Sequence, residues 1–259
     1  MSNQKERLDV LLMQRGLTES RSKSQALVLA GEVLVDGQPA QKPGMKVPLS
    51  AELELIAPVP YVSRGGYKLA AALDQFEIDV SNCICADVGA CTGGFTDVLL
   101  KRNARRVYAI DVGYGQLDWN LRNNQQVVVM ERTNARYLGT LPETIEFICV
   151  DVSFISLRLI LPVANNWLAS DGDIVSLIKP QFEAGPEKVG KGGVIRNPEI
   201  HRQVLEDFTR WSAENQLYPA GLIPSPIVGA SGNREFLIWL KQDQGIPFDI
   251  DRAIDACFT

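Results

Sequence analysis

The sequence predicts an α/β protein, an open and mostly parallel sheet covered by helices, preceded by a small α+β module. Three observations carry this. Beyond residue 64, short apolar runs alternate with helical stretches, the pattern of βαβ units. The first fifty-odd residues differ in texture, reading as two short helices and a hairpin. Between them, Ala57-Pro58-Val59-Pro60 reads as extended chain, because each proline disfavours helix in the residue before it. The boundary falls there, giving a module at 1–57, a linker at 58–63 and a larger domain at 64–259.

In order along the chain, Leu8, Leu11 and Leu12 recur at helical spacing, and Gly16 ends that helix. Ser20 suits the cap of a second helix over Arg21–Ala30, with Ala26, Leu27 and Leu29 facing inward and Gly31 ending it. Val33 and Val35 alternate before Asp36-Gly37, a strong hairpin signal, and a second short strand is expected near Ala51–Ile56. In the larger domain, strands are expected at Ile84–Val88, Val107–Asp111, Val127–Met130, Phe147–Asp151, Ile174–Ile178 and Phe236–Leu240. Helices are expected at Phe95–Arg102 and Ile200–Asn215.

Composition removes several chemistries. The formal charge of −5 is not that of an obvious nucleic-acid binder, so any such binding must come from a local basic patch. His201 is the single histidine, which excludes zinc sites built on several histidines, and no metal site is expected. It has no G-x-S-x-G elbow beside it for a serine triad. The five cysteines form no C-x-x-C pair and read as small buried hydrophobes of a reducing compartment. The opening residues lack the apolar core of a signal peptide, and no segment approaches the roughly 20 apolar residues of a membrane span. A soluble cytoplasmic protein is the expectation.

Ligands of open α/β sheets bind beyond the carboxyl ends of the strands, so the residues there matter most. After Ile84–Val88 comes a strand-to-helix turn crowded by Gly89, Gly93 and Gly94. Glycine permits positive φ and close backbone approach, and the helix that follows favours an anionic group. The spacing is G-x-x-x-G-G rather than the dinucleotide G-x-G-x-x-G. With Asp87 before it, the loop resembles motif I of S-adenosylmethionine-dependent methyltransferases. Asp111, ending the next strand, suits ribose hydroxyls in either a methyl donor or a nicotinamide cofactor.

Four ionisable residues stand in apolar surroundings. Lys68 begins a helix, Asp151 and Lys179 end strands, and Glu235 precedes one. Singly, each has an ordinary explanation as a cap or a surface charge. Together, in the order Lys, Asp, Lys, Glu, they resemble the catalytic tetrad of FtsJ-like ribose 2′-O-methyltransferases. The flanking SRGGYKL, DVGACTGGFTD, ERTNAR, VDVSFISL, IKPQFE and GGVIRNPEIH are similar to the TlyA family of ribosomal RNA methyltransferases, sometimes labelled hemolysin A. RLDVLL, SRSKSQALVLAGEVLVDGQ and KPG near the N-terminus resemble the RNA-binding fold named after ribosomal protein S-four.

The resemblance implies a Rossmann-like S-adenosylmethionine-dependent methyltransferase domain and an N-terminal RNA-binding domain. It implies Lys68, Asp151, Lys179 and Glu235 as catalytic. It places the methyl donor against Asp87, Gly89, Ala90, Gly93, Gly94 and Phe95, with Asp111 and Val112 near the ribose and Asn134 on the adenine side. The substrate it implies is ribosomal RNA, a cytidine 2′-hydroxyl within it. RNA contacts are expected at Arg7, Arg15, Ser20, Arg21 and Lys23, with Lys42 and Lys46 beyond, although residues 1–56 hold seven bases against seven acids. The glycine-rich GPEKVGKGGVIRNPE adds Lys188, Lys191 and Arg196, either an RNA-facing or a plain surface loop.

The chemistry suits those residue types. A ribose hydroxyl needs a proton acceptor and stabilisation as charge develops on its oxygen. Lys179 is expected to orient and deprotonate it, Lys68 to supply positive charge, and the two carboxylates to hold both lysines. No motif for base amines and no Pro-Cys for cytosine-C5 chemistry is present, and Cys149 reads as packed. Two other readings stand beside this one, a membrane-active hemolysin and a non-catalytic RNA-binding factor. The first finds no secretion signal, membrane span or amphipathic pore segment in the sequence.

Overall fold

The structure, a computed structural model, describes residues 4–29, 32–55, 60–190, 192–229, 232–245 and 248–258. The chain divides into two compact units, 1–60 and 61–259.

The first unit begins with strand β1 (Lys5–Arg7) and helices α1 (Leu8–Gln14) and α2 (Arg21–Leu29). Strands β2 (Val33–Val35), β3 (Gln38–Pro39), β4 (Lys46–Pro48) and β5 (Leu53–Leu55) follow. β2 lies between β3 and β5, and β1 pairs with β4, all antiparallel. Asp36 and Gly37 join β2 to β3 with φ of 51° and 74°, the backbone a two-residue hairpin turn requires. Gly16 leaves α1 at φ 71°. Leu8, Leu11, Leu12, Val28, Val33 and Val47 form the core.

The inner face of α2 differs from the expectation. Ser24 and Val28 are buried, while Ala26 is exposed and Leu29 is 77% exposed. Residues four apart share a helix face and residue 26 falls opposite it. Ser24 tolerates burial because its hydroxyl bonds Ser20 O (3.2 Å) and Thr18 Oγ1 (2.7 Å). The expected helix end at Ala30 and Gly31, and residues 56–59 of the expected strand and linker, lie outside the described residues.

The second unit contains α3 (Gly66–Gln75), β6 (Ile84–Val88), α4 (Gly94–Lys101), β7 (Arg106–Ile110), α5 (Trp119–Arg122) and β8 (Val127–Met130). It continues with β9 (Ile145–Val150), α6 (Leu161–Asn165), β10 (Leu168–Ile178), α7 (Pro180–Glu183) and α8 (Pro198–Glu214). β11 (Tyr218–Pro224), β12 (Phe236–Lys241) and α9 (Ile250–Ala256) complete it. The seven strands run in the order β11-β12-β10-β9-β6-β7-β8, parallel from β10 to β8, with β12 antiparallel to β10 and β11. Apolar clusters cover both faces, one joining α8 and α9 to the sheet, the other α3 and α4.

Two departures have physical reasons. β10 starts at Leu168, not Ile174, and carries an irregularity in its pairing between Leu168 and Asp173. The polar Ser170-Asp171-Gly172-Asp173 there reads as a turn in sequence. β11 was not expected, because Pro219, Gly221 and Pro224 read as breakers. Its place at the sheet edge relieves it of one set of ladder bonds, where proline is tolerated. No helix among the described residues is long and apolar enough to cross a membrane.

Candidate active site

Two cavities open at the carboxyl ends of the parallel strands. The first, of about 500 Å³, lies over the ends of β6, β7 and β9, where Gly89, Asp111, Val112, Asn134, Asp151 and Phe154 contribute to its lining. Gly89 turns the chain out of β6 at φ 88°, and a Cβ on it would stand 2.3 Å from the Asp151 carbonyl oxygen. Only glycine lets the loop sink that close to the next strand end. The Asp111 carboxylate orders the facing loops, accepting from the Cys91 amide at 2.8 Å and the Gly113 amide at 2.6 Å. Asn134 Oδ1 accepts the Arg136 amide at 3.1 Å. The volume falls within the range of cavities that take drug-sized ligands.

The other residues expected to contact the methyl donor lie elsewhere. Asp87 is fully buried below the loop, with Oδ2 accepting from the Thr96 amide (2.9 Å) and hydroxyl (2.6 Å). It ties the start of α4 to the end of β6 and does not line the cavity. Burial pushes its carboxyl up to about 7. Ala90 packs with Leu117 and Leu121, and Phe95 joins the core beneath α3 and α4. A Cβ on Gly93 would meet Leu121 Cδ1 at 2.3 Å, and one on Gly94 would meet Ser63 Oγ at 2.4 Å. These glycines admit packing neighbours, because the loop curls so that only its first half faces the strand ends. Cys91, expected to be buried, is exposed on that first half at φ 48° and lines the cavity. Cys83 is half-buried, and Cys85, Cys149 and Cys257 are buried.

The second cavity, of about 350 Å³, is lined by Lys68, Lys179, Glu235, Gln181, Phe182 and Asn233 among others. Sheet register explains the gathering. Ile178 pairs with Phe236 and Ser176 with Val150, so the residues just outside those pairs share one end of the sheet. Lys179, Asp151 and Glu235 are those residues, and the first turn of α3 brings in Lys68. Lys68 Nζ donates to Glu235 Oε2 at 2.6 Å and stands 3.9 Å from Asp151 Oδ2. Lys179 Nζ lies 2.6 Å from Asp151 Oδ1 and donates to Ser153 Oγ at 2.8 Å. The four form one charge-balanced chain, with Asp151 shared by both lysines, and Lys68, Lys179 and Glu235 are buried.

Ser153 and Phe154 line both cavities. Phe154 has φ 64°, is 91% exposed, and tilts against Phe182 with ring centroids 5.2 Å apart. The sequence reading singled out neither residue, and no spacing rule marks a residue that separates two cavities. Asn233 holds the glycine-rich loop over the second cavity, accepting from the Ile195 amide (3.0 Å) and donating to Gly193 O (2.8 Å). On that loop, Lys188 bonds Gln203 Oε1 at 2.9 Å, Arg196 is exposed, and Lys191 lies outside the described residues. His201 is buried 3.2 Å from Ile195 O, and burial lowers its pKa.

In the first unit, several expected RNA contacts have structural partners. Buried Asp9 accepts from Arg7 Nη2 (3.0 Å), Arg21 Nε (2.9 Å) and Gln25 Nε2 (2.8 Å). The Arg7 guanidinium above all holds that carboxyl far below the usual range. Arg7 and Arg21 remain about half exposed. Arg15 spends its guanidinium on Ala51 O and Leu49 O. Ser20 Oγ accepts the Lys23 amide at 3.2 Å, and Lys23, Lys42 and Lys46 are exposed.

Comparison with known proteins matches residues 61–242 to the FtsJ-like methyltransferase family and residues 6–53 to the S4 domain. YqxC of Bacillus subtilis, described as a candidate rRNA methyltransferase, is 48% identical over 93% of this chain and 87% of its own. TlyA of Mycobacterium tuberculosis, a 16S/23S rRNA (cytidine-2′-O)-methyltransferase, is 44% identical over 96% of this chain and 92% of its own. A Streptococcus thermophilus structure described as a hemolysin superposes with a TM-score of 0.75 at 42% identity, covering 99% of this chain and 97% of that one.

Proposed function

The chain belongs to the FtsJ-like methyltransferase family, and from that premise we propose that it methylates a ribose 2′-hydroxyl of ribosomal RNA, at a cytidine, using S-adenosylmethionine. The observation that carries this reading is the Glu235–Lys68–Asp151–Lys179 chain, which lies between the two cavities: Asp151 lines the 500 Å³ cavity, and Lys68, Lys179 and Glu235 line the second. The cavity suits the donor in size, in its place beyond the strand ends, and in the carboxylate of Asp111 at its edge. Its residues Gly89, Asp111, Val112 and Asn134 would hold the donor, which supplies an electrophilic sulfonium methyl group.

A lysine ammonium has three N–H donors. Ser153 takes one of those on Lys179, and the ion pair with Asp151 holds the ammonium from a second side. The 2′-hydroxyl would sit beside the remaining position: as the ammonium Lys179 orients it by donating an N–H, and it takes the hydroxyl proton only as the neutral amine, after releasing a proton of its own to solvent. Lys68, anchored by Glu235, supplies fixed positive charge beside the developing alkoxide. Ser153 and Phe154 border both cavities, so the two lie side by side; hydroxyl and methyl would meet past that border, beside Asp151 and Lys179, and alignment then contributes much of the rate. The match of residues 6–53 to the S4 domain supports an RNA partner, as do the substrates of the named relatives.

The test is methyl transfer to ribosomal subunits from a strain lacking the gene, with wild type and Lys179→Ala side by side. The expected result is incorporation mapped to a ribose 2′-oxygen and reduced about 10²- to 10⁴-fold by the substitution. Donor binding without transfer to either subunit overturns the ribosomal substrate. Near-normal transfer by Lys179→Ala, with loss in Lys68→Ala, overturns the assignment of roles.

A further inference from the structure

Glu183 closes α7, the single turn of helix that begins immediately after Lys179. Its side chain is 2% exposed, and none of the chemistry above uses it. Oε2 accepts from the Ser156 hydroxyl at 2.6 Å, and Oε1 accepts from the Leu157 amide at 2.7 Å. Both donors stand at the far end of the loop that leaves β9 with Asp151 and then carries Ser153 and Phe154. Arg158 Nε lies 3.8 Å from Oε2, with its guanidinium 5.7 Å from the Trp211 ring on α8. One carboxylate therefore bonds the β9 loop to the turn that follows Lys179, across 26 residues of sequence.

We infer that Glu183 is a positioning residue: it clasps the Asp151–Leu157 loop to the Lys179 turn and so fixes the wall between the two cavities. The inference rests on reading those cavities as the donor and acceptor sites of 2′-O-methyl transfer. The argument is one of constraint. The loop passes through Phe154 at φ 64°, a conformation that a phenylalanine keeps only where its surroundings hold it. Between Asp151, whose amide bonds Val88 O at 2.9 Å, and Ser156, the wall needs an anchor at its second end. Glu183 provides it with two bonds from donors on adjacent residues. Burial raises the Glu183 carboxyl, and the bonds from Ser156 and Leu157 oppose that shift, as expected of a buried acceptor kept by its donors. Released at that end, Ser153 no longer holds Lys179 from a fixed place, and Phe154 no longer bounds both cavities.

The experiment compares Glu183→Ala, Glu183→Gln and Ser156→Ala in the full chain. Glutamine has the same shape: its carbonyl oxygen accepts from the Leu157 amide, and its amide group donates to a turned Ser156 hydroxyl. Two readouts are taken, hydrogen exchange at the Leu157 amide and steady-state methylation of ribosomal subunits. Glu183→Ala is expected to speed exchange and to lower kcat roughly 10- to 100-fold, with KM for the subunit nearly unchanged. Glu183→Gln is expected to restore both, and Ser156→Ala to fall between. Unchanged exchange and kcat in Glu183→Ala overturn the clasp, as does a Glu183→Gln as impaired as the alanine variant. If wild type transfers no methyl group to ribosomal RNA, the proposed substrate fails, and the exchange readout still decides whether the clasp exists. Should Glu183→Ala not fold, Ser156→Ala carries the same two readouts.

Discussion

Removing one carboxylate from the tetrad should cost stability and activity through separable routes. Glu235→Ala takes away the nearer counter-ion of Lys68, leaving Asp151 at 3.9 Å, already engaged at 2.6 Å by Lys179. With an effective dielectric constant near 20, the lost attraction at 2.6 Å is about 6 kcal/mol and the one that remains is about 4 kcal/mol. The desolvation of Glu235 is recovered, which offsets part of the loss. A ceiling comes from neutralisation: an ordinary lysine sheds its proton at pH 7 for about 4.6 kcal/mol. Breaking a buried pair costs about 3–5 kcal/mol, and the lower end applies because Lys68 borders a cavity that water can enter. For a unit of this size, 3 kcal/mol lowers Tm by roughly 6–12 °C. The comparison variant is Lys68→Met/Glu235→Met, which removes both charges and should melt close to wild type while transferring no methyl group. Thermal melts and methyl transfer are measured on the same three proteins. A Glu235→Ala that melts within about 2 °C of wild type would refute the reasoning.

Two further outcomes follow from the loop. Gly89→Ala sets a Cβ 2.3 Å from the Asp151 carbonyl at a φ of 88°, so S-adenosylhomocysteine affinity measured by calorimetry should fall at least about 10-fold. Gly115→Ala, with open space around its Cβ, controls for strain alone at φ 71°. Asp87 holds its proton in the folded state up to about 7, against 3.8 for the ordinary group, so the folded state binds more protons between those values. Stability from this group is therefore present at low pH and is lost as pH rises toward 7. Asp87→Asn should flatten that slope in urea melts taken from pH 4.5 upward, and an unaltered slope would remove Asp87 as its source.

Much of this molecule is legible in its sequence, and the exceptions share a cause. Strand positions such as Ile84–Val88 and Val127–Met130 follow from apolar runs, because a sheet covered on both faces leaves few polar residues in its strands. The meeting of Lys179 and Glu235 follows once β12 pairs antiparallel with β10. Which glycines face the cavity is different, since Gly89 and Gly94 look alike in the motif and only the curl of the loop separates them. Asp87 looks like a ligand contact because it is polar beside a glycine loop, yet its partner is Thr96. Glu183 has no local signal at all, because its partners come from another strand end. Prolines hid β11, whose edge position tolerates them. Local rules report the chain's own conformation, and these features depend on what crosses it.

The charge balance of the tetrad reaches beyond bond geometry. Two lysines and two carboxylates sum to zero, so the site neither repels a sulfonium nor captures a polyanion at a distance. On the proposed reading, long-range attraction for phosphate would arise at the periphery, from exposed groups such as Lys23, Lys42, Lys46 and Arg196, in a molecule whose total charge opposes it. Added salt should weaken capture of the substrate while leaving turnover of what is captured almost untouched. If its substrate is RNA as proposed, the enzyme grips it with one set of residues and transforms it with another that ionic strength scarcely reaches.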